Sequence, residues 1–234
     1  MRKIVNKFLD LIFPPKCPFC GKILSGNTPV CHSCMSSLPF IDGKSCRICG
    51  RPVEETSHII CRGCRLNRTY FEHSFIPLIY KDKAKDAVLA LKAGHPYYAK
   101  GIAYVLADKI INSPHYASFD LITFVPQDKE AFKKRGYNQA ELIAKEVSRI
   151  LNIPCVPTLR KTTDGKPQHT LNLSERRENV KKCFFATEKS FSGTALLIDD
   201  IYTTGATSNY CSKLLRKMGF EKVYLGIAMI RTDD

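Results

Sequence analysis

Eight of the chain's eleven cysteines fall within its first 64 residues as four C-x-x-C pairs: Cys17/Cys20, Cys31/Cys34, Cys46/Cys49 and Cys61/Cys64. No other feature restricts the fold as tightly. Two residues between thiolates let one tight turn offer both sulfurs to a tetrahedral ion. The pairs form an internal repeat, in which CPFCGKILSGNTPVCHSC is answered by CRICGRPVEETSHIICRGC. Gly21 and Gly50, each directly after a first pair, permit a turn with positive φ and leave backbone N–H groups to face the sulfurs. Disulfides are the competing reading, but regular repetition of C-x-x-C is a metal spacing rather than a stapling one. The expectation is two structural zinc ions, against a single ion with a decayed second site. Pairing within each repeat is the simplest assignment, and a cross-braced arrangement of first pair with third stays open. Four protein ligands per ion close each site and leave His32 and His58 as surface residues. Few large apolar side chains accompany the cysteines, so metal must substitute for core and the segment should unfold without zinc.

At 234 residues the chain is long enough to bury a sizeable core, and 44% hydrophobic with 25% charged residues is ordinary for a soluble globular protein. The net charge of +14 is not ordinary. It is spread along the chain and favours polyanions: nucleic acid, phosphorylated small molecules or an anionic membrane. At the N-terminus, MRKIVNKFLDLIFPPK places apolar residues at helical spacing, but Asp10 interrupts them and Pro14-Pro15 ends the run. A secretory leader needs an uninterrupted apolar stretch and a small-residue cleavage site. No segment approaches the ~20 apolar residues of a membrane span. The segment reads as an amphipathic helix over 1–14, followed by a zinc-binding module over 15–67 and a further domain over 68–234, in a cytoplasmic protein.

After residue 67 the texture changes. SFIPLIYK, FDLITFVP, CVPTLRK, TALLIDD and KVYLGIAMI read as strands, and KAKDAVLALKAG, AKGIAYVLADKIIN, YNQAELIAKEVSRIL and TSNYCSKLLRKMG as helices. Strands alternating with helices, and strands apolar almost throughout, imply a parallel sheet covered on both faces. Ligands of such folds sit beyond the carboxyl ends of strands. There stands the most informative run outside the cysteines, TALLIDDIYTTGAT at residues 194–207. Asp199 and Asp200 emerge from an apolar strand, and the turn through Thr203, Thr204, Gly205, Ala206 and Thr207 leads into a helix starting near Thr207. Backbone N–H groups converging at a helix N-terminus make a phosphate site by geometry and dipole. Adjacent carboxylates suit the cis-diol of a ribose, or Mg²⁺ held by that diol. A ribose 5-phosphate fits both halves; a capped helix alone would explain only the acids.

ALLIDDIYTTGAT resembles the signature of type I phosphoribosyltransferases, which bind phosphoribosyl pyrophosphate (PRPP). VPQDKEAFKKRGYNQAELIAKEV, RKTTDGKPQHTLNLSERRENVKKCFFA, FPPKCPFCG and YKDKAKDAVLALK are similar to blocks of the ComF family. That resemblance spans almost the whole chain. It implies a type I phosphoribosyltransferase fold, a central mostly parallel sheet flanked by helices, behind an N-terminal Cys-rich zinc-binding module. It implies ribose and Mg²⁺ binding by Asp199 and Asp200, and 5-phosphate binding by Thr203, Thr204, Gly205, Ala206 and Thr207. Val125 to Asp128 take the place of the pyrophosphate loop, with Gln127 and Asp128 where ComF proteins more usually carry Leu-His. Arg135 and Lys92 are further pyrophosphate contacts. The segment from Arg160 to Asn179 resembles the mobile flap, with Gln168, Arg176 and Asn179 as its matched residues. For Arg135, Asn138 and Gln139 the competing reading is a helix start, and for Lys92 a solvated side chain.

ComF proteins are cytoplasmic factors linked to bacterial DNA uptake and natural transformation. The resemblance therefore implies a factor that binds PRPP or ribose 5-phosphate, handles single-stranded DNA, and works with a competence helicase-type partner. An active phosphoribosyltransferase with an unidentified acceptor is the first alternative. In the hypoxanthine and guanine salvage enzymes a carboxylate within the phosphate loop helps deprotonate the base; here that position is Thr203. No nucleophilic cysteine follows Met1, which argues against glutamine-dependent transfer. A PRPP-sensing nucleic-acid-binding regulator is the second alternative. Tyr97, Tyr98, Tyr104 and Tyr116 are available for base stacking, though aromatics at helical spacing are commonly core.

Overall fold

A computed structural model of the protein describes residues 14–26, 28–54, 59–162, 183–187 and 190–232. Five strands make the central sheet: β1 (Ser74–Phe75), β2 (Leu78–Ile79), β3 (Leu121–Phe124), β6 (Thr194–Tyr202) and β7 (Lys222–Ile230). The order is β1-β7-β6-β3, with β2 also on β7, and every pairing is parallel. The run SFIPLIYK, expected as one strand, is two. Pro77 has no N–H to give a ladder, so pairing lapses there. Ser74 faces Leu225 and Leu78 faces Met229, so the register carries across the break.

Side chains of β6 and β7 alternate between two cores. Leu196, Ile198 and Met229 join one cluster with α3 (Asp82–Lys92), α4 (Tyr98–Ile111) and α6 (Gln139–Leu151). Ala195, Leu197, Leu225 and Ile227 join another with α7 (Ala206–Lys217). Helices thus cover both faces of the sheet, as sheets of nearly all-apolar strands require. Off the main sheet, β4 (Leu159–Lys161) and β5 (Phe184–Ala186) pair antiparallel, and α5 (Lys129–Arg135) follows β3. Neither β5 nor α5 was expected. Cys155, expected inside a strand, makes only an isolated bridge to Ile122.

The Cys-rich segment contributes to both cores. Cys17, Phe19, Val30, Cys34 and Leu38 pack with α3, α4 and α6, whereas Cys46 and Cys49 pack with Cys211, Leu215 and Met218 on the α7 side. The two repeats therefore lie on opposite faces of the sheet. Between them, Ile79 donates its N–H to Pro39 and Ile41 donates to Pro77, each at 2.8 Å, so the connecting segment lies along β2. Each repeat has a short helix at its second pair, α1 (His32–Met35) and α2 (Arg62–Leu66). The expected helix over 1–14 falls almost wholly outside the described residues, as do His58 and the flap residues Gln168, Arg176 and Asn179. His32 is exposed, as expected.

Candidate functional site

Two metal sites are formed by sulfur alone. Cys17, Cys20, Cys31 and Cys34 bring their Sγ atoms within 4.8 Å of one another, and so do Cys46, Cys49, Cys61 and Cys64. A zinc–sulfur bond of about 2.3 Å in a tetrahedron separates neighbouring sulfurs by about 3.8 Å. Cys20 and Cys31 stand 3.6 Å apart and Cys49 and Cys61 3.7 Å, so both quartets fit zinc. All eight are free thiols, and pairing is sequential rather than cross-braced. The N–H of Cys61 donates to Cys46 Sγ at 3.4 Å, an amide contact of the kind that stabilises a thiolate ligand. With four ligands each, the ions would brace structure and leave no open position for chemistry.

The second site opens where β3 stops. Phe124 pairs with Ile198, the last β6 residue to have a β3 partner, so Asp199 and Asp200 stand beyond the end of β3. On the other side β6 stays paired with β7 to Tyr202, which holds both carboxylates on a rigid strand. They line a cavity of about 370 Å³ together with Lys92, Thr203, Gly205, Ala206 and Thr207. Lys92 Nζ meets Asp200 Oδ2 at 2.8 Å. Asp199 is 9% exposed, and its Oδ1 accepts the Asp200 N–H at 2.9 Å. Burial, and then repulsion from Asp200, push the Asp199 carboxyl well above the usual range, against that N–H and the Lys92 charge.

Past Tyr202 the chain turns at Gly205, where φ is +75° and a Cβ would stand 2.1 Å from the Tyr202 hydroxyl. Only glycine fits such a place. Gly205 is the N-cap of α7 and has no side chain to cap the first turn, whose Ala206 N–H donates instead to Thr204 Oγ1 at a long 3.4 Å. The helix begins at Ala206, one residue before the expected start. That first turn borders the same cavity as the carboxylates.

The remaining expected contacts divide. Lys92 lines the cavity, whereas Gln127 and Arg135 do not. Arg135 donates instead to Gln139 at 3.3 Å. The Gln127 side-chain amide is buried without a hydrogen-bond partner among the described residues. Asp128 caps α5, accepting the Ala131 N–H at 2.8 Å, and meets Lys161 Nζ at 3.4 Å. Burial opposes its ionisation, but those two contacts outweigh burial and hold its carboxyl below the usual range. Asn138 caps α6 and donates to the Val125 carbonyl at 2.9 Å, so the helix-start reading describes it.

Two cavity cations escaped the sequence reading, Lys161 and Arg231. Arg231 follows β7 directly, at a strand's carboxyl end, and that position was a usable signal. Lys161 lies at the start of the segment 160–179 expected as the flap but was not singled out there, and the hairpin of β4 with β5 that holds it was not anticipated.

Residues 8–65 match the double zinc ribbon domain family. The chain is 28% identical to competence protein ComFC of Bacillus subtilis (strain 168), across 90% of this chain and 87% of the relative. It is similar at 30% identity to competence protein F of Haemophilus influenzae, across 89% of this chain and 82% of the relative. Among solved structures it is similar to the glutamine phosphoribosylpyrophosphate amidotransferase of B. subtilis, with a TM-score of 0.36 at 17% identity over 56% of this chain and 26% of that one. No described helix is long and apolar enough to cross a membrane. A double ribbon ahead of a parallel-sheet domain, and a relationship that runs through nearly the full length of both sequences, make this protein a member of the ComF family.

Proposed function

We propose that the cavity beyond β3 binds a phosphoribosyl ligand, PRPP or ribose 5-phosphate, and that the protein serves DNA uptake as a single-stranded DNA-handling factor in the cytoplasm. One observation carries the ligand: two carboxylates on a β-strand and the glycine-turned N-terminus of α7 border one cavity. The carboxylates accept from the ribose hydroxyls, and the turn at Gly205, Ala206 and Thr207 receives the 5-phosphate, whereas Thr204 lines the neighbouring groove rather than this cavity. Lys92, Lys161 and Arg231 supply positive charge for a pyrophosphate. Two carboxylates are an incomplete set for Mg²⁺, which wants six oxygens. The residues fit magnesium that arrives with a pyrophosphate, where it would neutralise phosphate charge. The DNA role is supported by the +14 charge and by relatives named as competence proteins.

Calorimetry with PRPP and Mg²⁺ should give a binding isotherm that the Asp199→Asn/Asp200→Asn variant loses. An absent isotherm for the natural sequence overturns the ligand assignment. The same cations would stabilise a departing pyrophosphate, which favours an active transferase as the second reading. Pyrophosphate release from PRPP in the presence of a base, abolished in the double variant, would establish it.

A further inference from the structure

A wider groove of about 680 Å³ lies between the second ribbon and α7. Arg51, Arg62, Arg68 and Lys213 line it, and no carboxylate does among the described residues. Its floor is aromatic. The Tyr70 ring lies 5.1 Å from the Arg68 guanidinium and 5.4 Å from Lys213 Nζ. Two cations within 6 Å of one ring centroid repel each other. An anion beside them relieves that repulsion.

The backbone that carries the ring is also held in place. Asn209, on α7, accepts the Tyr70 N–H at 2.8 Å and donates to the Arg68 carbonyl at 3.0 Å. One side chain thus fixes the segment 68–70 from both ends. An aromatic ring on a braced segment, flanked by cations at a groove wall, is what a flexible anion with flat faces requires: stacking for the base, charge for the phosphate. A duplex hides its base faces and an acidic peptide has none.

We propose that this groove binds single-stranded polynucleotide, with Tyr70 stacking a base and Arg62, Arg68 and Lys213 holding phosphates. The proposal rests on the DNA-handling reading and gives it a location. Arg51 is left out of the phosphate contacts because it donates to the Thr203 carbonyl at 2.7 Å.

The test uses the full zinc-loaded chain, a labelled single-stranded oligodeoxynucleotide and a salt titration. The variant Arg62→Glu/Arg68→Glu/Lys213→Glu is compared with Lys83→Glu/Lys85→Glu/Lys100→Glu, an equal charge change on exposed lysines that line neither cavity. The groove variant should bind at least about 100-fold more weakly, with a salt slope reduced by about 2, since each single-strand phosphate contact contributes about 0.7. The control should weaken binding far less. Tyr70→Leu should lose about tenfold with its salt slope intact, and Tyr70→Phe should bind normally. Equal losses in the two triple variants would overturn the groove and leave the DNA reading standing. No binding by the natural sequence would overturn both, and equally tight binding of a duplex would overturn stacking on Tyr70.

Discussion

The unliganded fold disfavours ionisation of Asp199. The residue is buried at the end of a central strand beside a second carboxylate, and Lys92 is committed to that neighbour at 2.8 Å. A carboxyl whose folded pKa is raised contributes stability that is present below its unfolded value near 3.8 and lost as pH rises through the folded value. At pH 7, above that unfolded value, Asp199 therefore costs stability relative to a group that does not titrate. Asn at this position removes the charge and still offers an oxygen to the Asp200 N–H. Asp199→Asn should raise the thermal midpoint of the unliganded protein at pH 7 by a few degrees, because about 1 kcal/mol moves it by roughly 2–4 °C in a chain of this size. The gain should vanish near pH 4, and scanning calorimetry at the two pH values checks both. A lower midpoint at pH 7 would mean that Asp199 is held by contacts that favour its charge. The acidic pair was legible because two carboxylates after an apolar run have no packing use. The Lys92 partnership was not, since it joins residues 108 positions apart through tertiary structure alone.

At the scale of elements, the two ribbons differ in what they touch. In the first, Pro18 packs so closely on α4 that a Cβ at Gly101 would stand 2.2 Å from its ring. In the second, Arg51 donates to the carbonyl of Thr203 in the proposed phosphate loop. Gly50 makes that reach possible: with φ at +69°, its Cα passes so near β1 that a Cβ would stand 2.7 Å from the Ser74 carbonyl. Cys61→Ser should therefore release one zinc and weaken PRPP binding by roughly tenfold, the worth of a hydrogen bond from a charged donor. The matched change Cys31→Ser should release the other zinc and lower the thermal midpoint while PRPP affinity stays within about twofold. Zinc content and calorimetry on both variants decide it; equal losses of PRPP affinity would dissociate the second ribbon from the loop. The repeat announced two metal sites, because thiolate spacing is local chemistry. It did not announce that the ribbons straddle the sheet. That depends on the segment 38–41 passing β2, whose pairing is decided only when the sheet forms. The break at Pro77 follows from a single residue, since a proline nitrogen has no hydrogen to give the ladder.

For the whole molecule, a charge of +14 was visible as a sum but not as a place. The tyrosines first considered for stacking lie elsewhere. Tyr98 and Tyr104 pack against the core, and neither they nor Tyr97 and Tyr116 line the groove. Tyr70 does, brought there by Asn209 from 139 positions away. The groove and the cavity beyond β3 share two residues, Gly205 and Ala206, while Thr203 borders the cavity and Thr204 the groove. Anions in both would lie near the same short turn, and unlike charges on a surface, phosphates this close are poorly screened by a Debye length of about 8 Å. Binding of one should then oppose the other. Saturating PRPP with Mg²⁺ should weaken single-stranded DNA binding by about 2- to 10-fold, and DNA should weaken PRPP binding by the same factor, since coupling between binding sites is reciprocal. The effect should shrink as salt is raised and disappear in Asp199→Asn/Asp200→Asn, which keeps the groove and loses the ligand. Fluorescence anisotropy of labelled DNA across a PRPP titration measures the first leg and calorimetry the second. If PRPP instead tightened DNA binding, the shared turn would be acting by ordering the groove rather than by charge, because repulsion between phosphates has only one sign.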